Sequence, residues 1–128
     1  MTRVLLDTSA YSAFMRGHPE IKLALQQADE IYLNPIILGE LLAGFLRGKR
    51  RKKNEQELRT LLASPRVKVV ELDEDTVILN ALWTAGTPIP TNDLWIAASA
   101  MQHGLRILTT DAHYQKVNQV IVDYVEAS

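Results

Sequence analysis

The chain has 128 residues, 47% of them apolar and 23% charged, the profile of one ordinary globular domain able to bury its own core. It contains no cysteine, which excludes disulfide scaffolds, thiolate zinc sites, redox dithiols and cysteine nucleophiles. The net charge of −1 hides an asymmetry: six of the fourteen basic residues lie between Arg47 and Lys53, leaving eight against fifteen acids elsewhere, a balance of −7.

The N-terminal MTRVLLDTSAYS lacks a long apolar stretch with a small-residue cleavage site, so it is not read as a signal peptide. No apolar run approaches the roughly 20 residues that span a bilayer. The expectation is a cytoplasmic protein without a membrane segment, folded as a single domain over residues 1–128. Arg3–Leu6 (RVLL) reads as a first strand, ended by the turn-and-cap cluster Asp7, Thr8 and Ser9. A helix follows through Tyr11–Met15 and is broken by Gly17 and Pro19, after which Glu20–Ala28 forms a second helical piece. Ile31–Leu33 is a short strand. Pro35 suits a first helical position, and Ile36–Leu46 is an almost wholly apolar helix.

The basic run Arg47, Lys49, Arg50, Arg51, Lys52 and Lys53 comes next. It reads either as a solvated helix end or as a surface for a polyanion. A helix then covers about Asn54–Ala63 and stops at Ser64-Pro65. Val67–Leu72 is a strand, and Asp73, Glu74 and Asp75 cap a helix running to about Ala85. Thr87–Pro90 is a loop. Leu94–His103 is helical with Gly104 as its C′ residue, Arg106–Thr109 is a strand, Ala112–Val117 a short helix, and Val120–Val125 a last strand. Strands alternating with helices predict an α/β fold in three α/β/α layers, with a mainly parallel central sheet of about five strands. Ligands of such sheets bind beyond the strand C-ends, at a switch point in strand order.

Four carboxylates are predicted to reach that edge: Asp7 and Asp111 after their strands, Asp93 at a helix start, and Glu40 one turn into the helix behind Pro35. Helix capping is an adequate account of any one of the three aspartates. It does not account for Glu40, the one charged residue between Glu30 and Arg47. A lone carboxylate on so apolar a helix needs a positive partner, and a bound cation supplies one. Hard divalent ions favour carboxylate oxygens, and with no histidine beside Asp7, Glu40 or Asp93, zinc fits poorly. Such a site suits phosphodiester hydrolysis, with the basic run holding the nucleic-acid backbone.

On LLDTSAYSA, PIILGELLAG and TNDLWIAASAMQHGLRILTTDAHYQKV, the chain resembles the PIN-domain nucleases, and among them the VapC-type toxins of toxin–antitoxin pairs. The resemblance implies an acidic quartet at Asp7, Glu40, Asp93 and Asp111, with Ser9 orienting a carboxylate or a metal-bound water. It also implies Mg²⁺-dependent RNA cleavage (Mn²⁺ substituting), dimerisation, and a small cognate antitoxin. Pro35 and Tyr114 depart from residues common in that family, and neither is expected to touch a carboxylate. His18, His103 and His113 lack ligand spacing, His113 alone being near enough to Asp111 for a substrate contact. Trp83 and Trp95 read as core or interface. Phospho-aspartate domains need further acids beside the first one, and this chain has only Asp7 and then Ser9. A catalytically inactive PIN-like binding module remains as the alternative class, its signature being the loss of an acid.

Overall fold

The computed structural model describes residues 2–84, 91–117 and 119–127. In chain order it contains β1 (Arg3–Leu6), α1 (Thr8–Met15), α2 (Pro19–Gln27), β2 (Glu30–Leu33), α3 (Pro35–Arg47), α4 (Arg51–Leu62) and β3 (Val67–Val69). These are followed by α5 (Glu74–Thr84), α6 (Thr91–His103), β4 (Arg106–Thr109), a 3₁₀ turn (Ala112–Lys116) and β5 (Val122–Tyr124). The five strands form one sheet in the order β3-β2-β1-β4-β5, and every neighbouring pair is parallel. The predicted α/β architecture is therefore the observed one.

Successive side chains of a strand point to opposite faces, yet Val4, Leu5 and Leu6 of β1 are all buried, as are Ile107, Leu108 and Thr109 of β4. Both faces of the sheet centre are thus covered, as expected of parallel strands. Each fully buried Leu or Ile here contributes about 1.5–3 kcal/mol. The edge strands differ. Only Val67 of β3 is buried and no residue of β5 is, so pairing there ends sooner than the apolar pattern suggested. The predicted strands Val67–Leu72 and Val120–Val125 shorten accordingly.

From central β1 the chain builds outward through β2 and β3, then returns to the other side of β1 for β4 and β5. The direction of winding therefore reverses between β1 and β4, and a crevice opens above their C-ends. Asp7 leaves β1 with its N–H bonded to the Leu108 carbonyl of β4 at 3.1 Å, which places it at that switch point.

Several element ends also depart from the predictions. Helix α1 starts at Thr8, directly after Asp7, and stops where Gly17 turns into the left-handed region at φ +83°. Helix α4 begins at Arg51, so part of the basic run forms its first turn. Helix α6 begins at Thr91, which places Asp93 within its first turn instead of before it. Gly104 adopts φ +64°, as a C′ residue should. The segment after Asp111 is 3₁₀ and not α-helical. The predicted loop Thr87–Pro90 and the surroundings of the Trp83 side chain lie outside the described residues, and Trp95 is half-buried.

One buried polar pair sets the height of the site. Asn34, fully buried, caps α3 by accepting the Ile37 N–H at 2.9 Å and donates to Ser99 Oγ of α6 at 3.0 Å. Further along α3, Glu40 Oε2 accepts from Asn92 Nδ2 at the start of α6, at 3.4 Å. Residue numbers rise along one helix as they fall along the other, so α3 and α6 run antiparallel. That arrangement brings Glu40, more than a turn into its helix, beside the first turn of α6.

Candidate active site

Asp7 stands where a helix cap would, but its side chain makes no cap hydrogen bond to α1. It is buried, at 3% exposure, and turned towards β4. Ser9 Oγ donates to Asp7 Oδ2 at 2.7 Å, and Thr109 Oγ1 donates to the same oxygen at 2.8 Å. The direction of these bonds is fixed by their other partners. Ser9 Oγ accepts the Thr110 N–H at 3.0 Å and Thr109 Oγ1 accepts the Asp111 N–H at 2.9 Å, so each hydroxyl turns its own proton to Asp7. Oδ2 is thereby filled, and Oδ1 is the oxygen left for a ligand. Burial raises the Asp7 carboxyl above its ordinary value, against the opposing effect of these hydrogen bonds.

Asp93 lies across from it in the first turn of α6. Burial, with the charges of Asp111, Asp7 and Glu40 added, pushes its carboxyl up to about 6. Between the two stands Tyr114, fully buried, whose hydroxyl lies 3.2 Å from Asp7 Oδ1 and 3.1 Å from Asp93 Oδ1. A phenol has one proton to give, so both contacts are satisfied together only when one of the two carboxyls is itself protonated and donates to Tyr114. Burial between two carboxylates drives the phenol far above its ordinary range, and it stays neutral. Tyr114 therefore does touch carboxylates, contrary to the expectation from sequence.

Glu40 is held at both oxygens. Thr8 Oγ1 donates to Oε1 at 2.6 Å, and Asn92 Nδ2 reaches Oε2 at 3.4 Å. Its clamps are thus the immediate chain neighbours of Asp7 and Asp93. The Asp111 side chain, unlike that of Asp7, does cap, accepting the His113 N–H at 2.9 Å. The same turn carries the His113 ring to 3.2 Å from Asp111 Oδ1 and 3.7 Å from Asp93 Oδ2, measured from Nδ1. A histidine does stand beside Asp93, which corrects the reading that none accompanies Asp7, Glu40 or Asp93. One donor atom each from Asp93, Asp111 and His113 lie within 4.8 Å of one another.

All four predicted acids share one neighbourhood. Among the described residues no lysine or arginine forms an ion pair with any of them. Repelling carboxylates that are oriented by neutral donors suit a divalent cation, and the donor set is mainly the oxygen type that Mg²⁺ and Mn²⁺ take. Thr8, Asn92, Thr109, Tyr114 and His113 were not read as site residues from the sequence. Thr8 and Asn92 adjoin predicted acids, and that adjacency was the available signal. His18 and His103 lie elsewhere: His18 caps α2 through Ile21 N and bonds the Glu126 carbonyl at 2.8 Å.

An oxygen-rich acidic crevice at the switch point of a five-stranded parallel sheet is the architecture of the PIN domain. The PIN-domain family model matches residues 4–120, and the chain belongs to that family. The relatives it is similar to include proteins named Ribonuclease VapC. It is 33% identical to Ribonuclease VapC4 of Mycobacterium tuberculosis over 92 residues, 68% of this chain and 71% of that one. It is also 33% identical to Ribonuclease VapC of Rickettsia bellii over 112 residues, 83% of each. Among solved structures, a member of the VapBC family of toxin–antitoxin systems, VapBC-5 of Mycobacterium tuberculosis, superposes with a TM-score of 0.70 at 26% identity, covering 98% of this chain and 100% of that one.

Proposed function

We propose that the chain is a divalent-ion-dependent endoribonuclease that hydrolyses phosphodiester bonds in single-stranded or structured RNA, as the toxin of a toxin–antitoxin pair. The carrying observation is the convergence of Asp7, Glu40, Asp93 and Asp111 with no lysine or arginine among the described residues paired to them. An inactive binding module of this fold would lack at least one of the four.

Asp7, Glu40, Asp93 and Asp111 hold the ion, Mg²⁺ or Mn²⁺. When bound, such an ion lowers the pKa of a water nucleophile and offsets charge on the scissile phosphate. Ser9 and Thr109 lock Asp7 through Oδ2 and present Oδ1. Thr8 and Asn92 set the rotamer of Glu40. These fixed contacts spare the carboxylates a rearrangement when the ion arrives.

RNA is held by the basic run. Arg51 and Lys53 already pair with Glu55 and Glu57, at 3.0 and 3.9 Å, so Arg47, Lys49, Arg50 and Lys52 are the freest to meet phosphates. Cations in the first turn of α4 oppose its dipole, and a phosphate there relieves the conflict. These contacts position the strand without reading its sequence. The toxin-pair reading rests on the likeness to VapBC-5 and implies a small antitoxin partner, a homodimer and a cytoplasmic site of action. Apolar residues exposed on α3 and α5, Leu42, Leu46, Val77 and Ile78, are available to such interfaces.

The test is cleavage of a mixed RNA pool by the purified chain with Mg²⁺, with Mn²⁺ and with EDTA, beside Asp7→Asn. Cutting that needs the ion and disappears in the variant is expected. No cutting of any RNA, together with no divalent-ion binding by calorimetry, sinks the proposal.

A further inference from the structure

The acidic quartet is not the whole donor set at the crevice. His113 projects from the 3₁₀ turn with its Nδ1 3.2 Å from Asp111 Oδ1 and 3.7 Å from Asp93 Oδ2. Donors bound at right angles to one ion, about 2.1 Å away each, lie about 3 Å apart. The two spacings from the ring nitrogen are thus near that of neighbouring positions on one octahedral ion, and all three donor atoms lie within 4.8 Å of one another. The bond that caps the turn uses the His113 backbone N–H, not its ring, and the side chain is half-exposed.

We infer that His113 is a nitrogen ligand to the ion held by Asp93 and Asp111, and that it tunes the site towards Mn²⁺, Co²⁺ and Zn²⁺ relative to Mg²⁺. The inference rests on the proposed ion site and adds to it the identity of the ion. Imidazole is a borderline donor, which suits the later first-row ions, whereas Mg²⁺ favours oxygen and keeps its waters. Replacing one oxygen position by nitrogen therefore leaves Mg²⁺ affinity nearly unchanged and raises that of the transition ions. The 3₁₀ geometry is what makes this available. The turn directs the ring back over Asp111, whose carboxylate is itself fixed by capping the same turn.

The experiment is calorimetric titration of the metal-free full-length chain with Mg²⁺, Mn²⁺ and Co²⁺, for the wild type, His113→Ala and His113→Gln. It is paired with NMR of the histidine ring nitrogens during Co²⁺ or Zn²⁺ addition. Because the cap uses the backbone, both variants keep the turn, and circular dichroism checks this. In both variants, Mn²⁺ and Co²⁺ affinity is expected to fall by about tenfold or more, the low end of what loss of even an outer partner of a metal site costs. Mg²⁺ affinity stays within about twofold, and in the wild type the His113 Nδ1 resonance shifts on Zn²⁺ binding. Equal affinities in wild type and variants, or an equal fall for all three ions, overturns the role of His113 while leaving the ion site intact. Absence of any ion binding in the wild type overturns both readings.

Discussion

Replacing Asp93 by Asn stabilises the metal-free protein near neutral pH and does so much less in acid. The cause is the electrostatic load on this carboxyl, raised from 3.8 to about 6 by burial and by the charges of Asp111, Asp7 and Glu40. In the unfolded chain Asp93 ionises at its ordinary value, while the folded protein retains the proton until about pH 6. The penalty on the folded state is therefore absent below the lower value, grows as the pH rises between the two, and is complete above the higher one. At 1.36 kcal/mol per tenfold, its upper limit is about 3 kcal/mol. The Asp93 side chain keeps 13% exposure, and salt screens its neighbours, so a gain of about 2 kcal/mol is expected at pH 7.5 and under about 1 kcal/mol at pH 4.5. Asn keeps the acceptor that faces Tyr114, so packing contributes little to the difference. Urea unfolding in EDTA, followed by circular dichroism at the two pH values, reads both numbers. A gain of the same size at both, or none at pH 7.5, refutes the electrostatic account. Millimolar Mn²⁺ should then narrow the gap, because the ion relieves in the wild type what the substitution removes.

Tyr114→Phe removes the hydroxyl whose single proton an ionised Asp93 can accept and which holds that carboxyl down against burial, so Asp93 should titrate above about 6 in metal-free protein, followed by carbon NMR of its side chain. A lower value would show that the phenol does not donate there. Asn34→Ala strands the Ile37 N–H and Ser99 in the core, a loss of about 1–3 kcal/mol in urea unfolding. Adding Ser99→Ala should recover part of it, and strict additivity would deny the coupling between α3 and α6. Changing Arg47, Lys49, Arg50 and Lys52 to Gln on an Asp7→Asn background should flatten the salt dependence of RNA binding by about 0.7 in slope for each phosphate no longer neutralised. An unchanged slope moves the RNA path away from this run.

The acids were legible because each carried a local signal. Asp7 and Asp111 follow short apolar strands at once, and strand C-ends of a parallel sheet share one edge. Glu40 was conspicuous through its isolation on an apolar helix. Tyr114 and His113 were not legible, because their directions depend on the turn that carries them. A 3₁₀ segment advances 120° per residue where an α-helix advances about 100°, so a short helix assigned there points the side chains elsewhere. Tyr114 also has the burial of an ordinary core aromatic, and only its hydroxyl reveals a second role. The start of α6 was missed because Thr91, Asn92 and Asp93 are all good helix-start residues in a row, and sequence does not rank them. The edge strands were overextended for a different reason: apolar alternation runs on past the last paired residue, where Val70 still bonds the Leu33 carbonyl and packs only partly against the core.

What holds the four carboxylates is as informative as the carboxylates themselves. Among the described residues, the hydroxyls of Thr8, Ser9, Thr109 and Tyr114 and the amide of Asn92 donate to Glu40, Asp7 and Asp93, every one of them neutral, while Asp111 accepts the His113 backbone N–H with the His113 ring beside it. A lysine or arginine in any of these places would stabilise the folded chain more, since a charged donor offsets a buried carboxylate far better than a hydroxyl does. It would also cancel the negative field that draws a divalent ion. Neutral donors fix direction and leave the negative charge in place, and burial, which these bonds oppose only in part, holds Asp7 and Asp93 both above the ordinary carboxylate range in the ion-free protein. The stability withheld from the free fold is returned when an ion binds the folded chain and not the unfolded one, so ion binding and thermal stability must rise together.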